Sequence, residues 1–75
     1  MQKSERVLVA EPVYTVALSA AESIVTAGGE AIVVTSAAGA RAATGWFDRG
    51  IFALDLPDGS GIVLAAELLP REPPA

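Results

Sequence analysis

Residues 6–35 read RVLVAEPVYTVALSAAESIVTAGGEAIVVT, two short β-branched runs on either side of one long amphipathic segment. Arg6–Glu11 (RVLVAE) is apolar at consecutive positions and bounded by charge at both ends, the pattern of a strand buried on both faces. Pro12 suits the first position of a helix, where its missing N–H costs nothing, and the helical pattern runs to Ala27 before Gly28–Gly29 stop it. Glu30 then leads into Ala31–Thr35 (AIVVT), a second apolar strand of the length common in parallel sheets. Strand, helix and strand in this order predict a right-handed crossover between parallel strands.

The pattern continues outward from this unit. Ser36 is placed to cap a short, alanine-rich helix over Ala37–Thr44, ended by Gly45. Trp46 and Phe47 follow, read either as lids at the bottom of the sheet or as a recognition patch. Gly50–Leu54 (GIFAL) is the third strand, and Pro57-Asp58-Gly59-Ser60-Gly61 is a turn in which Asp58 is expected to cap the helix after it. That third helix covers Ile62–Leu69 and stops at Pro70, leaving residues 70–75 as a frayed tail. The order βαβαβα predicts a three-layer α/β sandwich with parallel strand order 2-1-3, and residues 1–75 form a single domain without linker or internal repeat.

The long helix carries more apolar surface than one sheet can cover. At 100° per residue, Val13, Val16, Ala17, Ala20, Ile24 and Ala27 form one stripe, and Tyr14, Leu18, Ala21 and Val25 form a second beside it. The second stripe calls for another partner surface.

Composition excludes much chemistry. The 75 residues contain no histidine and no cysteine, which removes Ser-His triads, thiol nucleophiles, Cys/His zinc sites and disulfides. Nine acids against five bases give a net charge of −4, and Lys3, Arg6, Arg41, Arg49 and Arg71 are scattered, so no nucleic-acid partner is expected. Glu11, Glu22, Glu30 and Arg41 interrupt the apolar runs, so the expectation is a cytoplasmic chain without a membrane partner. A domain of this size buries only about 60% of its unfolded surface, which makes association with a second copy the first expectation.

Three segments carry a family resemblance: VLVAE at 7–11, AGGEAIVV at 27–34 and FDRGIFALDLPDGSG at 47–61. At this spacing, without gaps, the chain resembles the N-terminal part of a bacterial two-component response-regulator receiver domain, a flavodoxin-like fold. The resemblance implies a truncated, degenerate receiver that ends near its third helix, without the later strands that carry the family's Thr/Ser switch and lysine. Its phosphoryl acceptor falls on Ala53, which has no nucleophilic atom, with Asp55 two residues later as the alternative acceptor. The family's acidic pair falls on Glu11 and Pro12, leaving Glu11 alone as a metal-ligand candidate, so neither a metal nor another cofactor is expected. Gly59 and Gly61 lack the GxGxxG context of a nucleotide loop.

These readings predict a binding protein and not an enzyme. The expected homodimer is held by the third-strand edge, Ile51, Phe52, Ala53, Leu54 and Leu56, by the helix stripe Tyr14, Leu18, Ala21 and Val25, or by both, through antiparallel pairing of Ile51–Leu56 across a two-fold axis in preference to an exchange of elements between chains. The resemblance names as further partners a histidine kinase, a phosphotransfer protein or a full-length response regulator, in two-component or phosphorelay signalling. Two other readings stay open: phosphorylation on Asp55, and a purely structural dimerisation module.

Overall fold

The computed structural model describes residues 4–43 and 46–68. Among these residues five strands and three helices follow in the order β1 (Arg6–Ala10), α1 (Tyr14–Thr26), β2 (Glu30–Val34), α2 (Ala37–Ala42), β3 (Arg49–Phe52), β4 (Asp55–Leu56), β5 (Gly59–Ser60) and α3 (Gly61–Leu68). β1 lies in the middle of a three-stranded parallel sheet of order β2-β1-β3, as the crossover pattern predicts. β4 and β5 form a separate two-residue antiparallel ladder, whose second strand lies in the Pro57–Gly61 segment that the sequence predicts as a plain turn.

β1 is apolar at consecutive positions because both of its faces are covered. Val7 and Val9 pack with Ala17 of α1, and Ala20, Ile24 and Val33 close that cluster. Leu8 and Ala10 point the other way, into a larger cluster with Ala37 and Ala40 of α2, Phe47, Leu56, and Leu64 and Leu68 of α3. The chain is therefore a small α/β domain with helices on both sides of its sheet.

Several boundaries differ from the sequence reading. α1 begins at Tyr14 rather than Pro12: Val13 is the cap residue, extended at φ −90°, ψ 109°, and its C=O accepts the first helical bond from Ala17 N–H. Val13 thus lies before the helical period starts and is exposed, not part of the inward stripe. Val16 is also exposed, because it stands about 100° from the buried Ala17. β3 ends at Phe52 and not Leu54, since Leu54 C=O turns to accept from Gly61 N–H, which opens the β4–β5 hairpin. α2 ends at Ala42; the expected continuation to Thr44 and Gly45, the last residue of the third helix at Leu69 and the tail at 70–75 lie outside the described residues.

Two glycines are fixed by geometry. Gly28 has φ +92°, and the bonds Gly28 N–H to Val25 C=O and Gly29 N–H to Ile24 C=O form a Schellman end to α1. Gly61 has no room for a side chain: a Cβ there would lie 1.7 Å from the carbonyl oxygen of Ala53. Gly61→Ala must therefore push α3 away from the end of β3. We expect it to lower stability by about 3 kcal/mol, against about 1 kcal/mol for Gly28→Ala, in urea unfolding followed by circular dichroism.

Candidate functional site

Parallel α/β sheets bind ligands at the C-terminal ends of their strands. Here that end is formed by Glu11 after β1, Thr35 after β2 and Ala53 after β3, each one step beyond a paired strand residue. Ala53 N–H donates to Ala10 C=O at 2.9 Å, and its methyl group packs on the larger core cluster. Glu11 is half-buried, and its N–H donates to Val34 C=O. Asp55 is exposed and lies on β4 opposite Ser60, so it belongs to the hairpin and not to a strand of the main sheet. Among the described residues no group of three acids gathers to hold a metal ion.

The acid that does most structural work at this end is Asp58. Its carboxylate accepts from Ala37 N–H at 2.7 Å and from Ala38 N–H at 2.9 Å, while Ser36 Oγ accepts from Gly39 N–H at 3.0 Å. The free N–H groups at the start of α2 are thereby met by two side chains. Asp58 was expected to cap the helix that follows it; it caps α2 instead, 21 residues back, and Ser60 Oγ accepts from Val63 N–H at the start of α3. Nothing in a local turn pattern signals so distant a partner. The bonds from Ala37 and Ala38 hold the Asp58 carboxyl below the usual aspartate range.

The opposite end of the sheet is closed by charge. Arg6 Nη1 bonds Glu30 at 3.0 Å, Arg6 Nε donates to Trp46 C=O at 3.0 Å, and the guanidinium lies 5.8 Å from the centroid of the Trp46 ring. Asp48 accepts from Arg6 N–H at 2.7 Å, and Arg49 makes a two-pronged bond to Glu5. Phe47 is buried, in line with the lid reading, and Trp46 is half-buried under Arg6. Arg41 bonds both carboxylate oxygens of Glu67, which joins α2 to α3 and holds Glu67 below its ordinary range.

Much apolar surface remains uncovered. Ile51 is 46% exposed and Leu54 69%, whereas Phe52 and Ala53 are half-buried against the core. Leu56, expected on the edge, is 7% exposed and belongs to the core, because the hairpin folds it under α3. On α1, Tyr14, Leu18 and Val25 are exposed and Ala21 is half-buried. A groove of about 590 Å³ runs above β3, lined by Val7 and Ile51 on its floor and by Ser23 and Ile24 of α1 and its cap residue Ala27. The groove thus fixes which side of α1 faces β3. Tyr14, Leu18 and Val25 stand on the other side of the helix, so they do not continue the β3 surface as expected; the helical period puts them about 60–100° from Ala17 in the opposite sense to Ser23 and Ala27.

No protein-family model, curated protein or solved structure matches this chain. Among the described residues no helix is long and apolar enough to cross a membrane.

The Asp58 contact makes stability depend on acid. A carboxyl held below its unfolded value contributes fully above that value, about 3.9 for Asp, and the contribution disappears as pH falls through the folded value. Glu67 acts in the same direction. The melting temperature should fall as pH is lowered from about 5 to about 2.5. Asp58→Ala should melt lower than the parent at neutral pH and show a shallower fall, as read by thermal circular dichroism.

Proposed function

We propose that this chain is a receiver-like binding protein that takes part in two-component or phosphorelay signalling without accepting a phosphoryl group. The observation that carries the reading is Ala53: it follows β3 directly and neighbours Glu11 at the end of β1, at the position where the resemblance expects a nucleophilic aspartate. A methyl group cannot attack phosphorus. The parallel order β2-β1-β3 with helices on both faces supports the same reading, as does the spacing of the quoted segments. Phosphoryl transfer also needs a metal and cationic or hydroxyl groups around the phosphoryl oxygens. Asp55, the other candidate acceptor, lies on the exposed hairpin opposite Ser60 and not on a strand of the main sheet.

The protein then acts through its surfaces. One is the flank of α1 with Tyr14, Leu18 and Val25, which offers an apolar seat for a helical phosphotransfer or kinase domain. The other is the exposed side of β3, which serves association with a second copy. Because the two lie on opposite sides of α1, both partners fit at once.

Incubation with a small acyl-phosphate donor and magnesium should leave the intact mass unchanged, also after Ala53→Asp. A gain of one phosphoryl group that disappears in Asp55→Asn would overturn the proposal in favour of a phosphorylated variant. Leu18→Glu, at an exposed position, should weaken binding to a purified histidine-kinase phosphotransfer domain at least tenfold while the fold persists; unchanged binding would remove α1 as the docking flank.

A further inference from the structure

Among the described residues, the outer edge of β3 has unmet backbone groups whose arrangement is self-complementary. Ala53 N–H donates to Ala10 C=O, and the ladder pairs Ala10 with Phe52 and Val9 with Ile51. Bonding direction alternates along a strand, so Ile51 and Ala53 face β1, and Gly50 and Phe52 turn their N–H and C=O groups outward. Among the described residues nothing pairs with that side, because the sheet order ends at β3. The stretch is short and bounded: Asp48 N–H already donates to Arg6 C=O, and Leu54 C=O already accepts from Gly61 N–H.

We propose that the β3 edge is the docking site for a second copy of this chain, paired antiparallel across a two-fold axis at Ile51. The proposal rests on the self-association in the functional reading and specifies its surface. In this register Gly50 of each copy stands opposite Phe52 of the other, and the four outward groups of each edge are all matched in four hydrogen bonds. Neighbouring registers fail this test. An axis at Gly50 would set Phe52 against Asp48, whose N–H is taken; an axis at Phe52 would set Gly50 against Leu54, whose C=O is taken. The strand's own large ring also leaves the edge open. The Phe52 ring lies back over its own Gly50, where a Cβ would stand 2.2 Å from Cε2, and it packs on its own core.

Charge allows the approach. Arg49 is already paired with Glu5, and residues 50–54 carry no charge or proline of the kind that guards natural edges. The two Arg49 residues would stand four positions apart along the strands, about 13 Å, beyond the screening length of about 8 Å at physiological salt. A two-fold perpendicular to the sheet keeps both α1 helices on one face, so the two grooves join above the Ile51 pair, and their apolar floors of Val7 and Ile51 become continuous.

The chain contains no cysteine, so Ile51→Cys introduces a unique thiol. In an antiparallel pair without mutual hydrogen bonds the Cα atoms are about 4.5 Å apart, within disulfide range. Mild oxidation at micromolar concentration should link Ile51→Cys at least tenfold faster than Ile62→Cys, whose site on α3 is 67% exposed but off the edge. Light scattering of the unmodified protein should give twice the 7.6 kDa chain mass. Ile51→Lys places two ammonium groups at the axis and should give a folded monomer by circular dichroism and light scattering. A dimer that resists Ile51→Lys, or equal linking of the two cysteine variants, overturns this register while self-association stands. A monomer in the unmodified protein overturns both; neither result bears on phosphoryl transfer, which the donor experiment reads separately.

Discussion

Four consecutive buried residues, Val7–Ala10, hold this domain together, and each of the other elements is placed by reference to them. Val7 and Val9 give α1 its seat, while Leu8 and Ala10 give α2 and α3 theirs. The same residues pair with β2 on one side and β3 on the other. A central parallel strand must be apolar on both faces and hydrogen-bonded on both edges, so β1 cannot be changed at one face alone without a response across the sheet. Leu8, at 0% exposure, is among the largest of these side chains, and truncating such a residue usually costs about 2–5 kcal/mol. In a domain this small that is a large share of the total.

A second constraint closes the chain behind β3. Gly61 is held so near Ala53 that a methyl group does not fit, and Asp58 ties the same hairpin to the start of α2. Arg41–Glu67 then links α2 to α3. The hairpin, α2 and α3 therefore form one connected layer on the Leu8 face, and Leu56 is drawn into it. Among the described residues, α1 on the other face has no comparable side-chain tie. Its start lacks a side-chain cap, and it rests on Ala17, Ala20 and Ile24.

These differences explain what was legible in the sequence. The strand–helix–strand unit, the order 2-1-3 and the glycine stop of α1 follow from periodicity and local backbone preferences, which act over a few residues. Leu56, Asp58 and Leu54 were misread because their partners are distant: a core under α3, the N–H groups of Ala37 and Ala38, and the N–H of Gly61. For the α1 stripes, a helical wheel shows that Tyr14, Leu18 and Val25 share a side but cannot say which side meets β3. That depends on how the crossover sets the helix over β1 and β2. The candidate positions Glu11 and Ala53 follow strand ends and are legible from the strand pattern; that Asp55 sits on a separate hairpin is not.

The asymmetry between the two faces of the sheet bears on what the domain can do. On the Leu8 face, α2, α3 and the hairpin cover the floor as far as Phe52, whose ring fills the space above Gly50. On the Val7 face α1 covers β1 and β2 only, so Ile51 and the groove beside it stay open. An edge strand closed on one face and open on the other presents its backbone in one defined orientation, which limits the ways a second strand can add. The bound groups at Asp48 and Leu54 limit it further, to the few residues between them. Apolar surface alone would favour indiscriminate association. Here the surface is bounded at both ends by hydrogen bonds already made, and so the same contacts that terminate β3 also set the register in which a copy can join it.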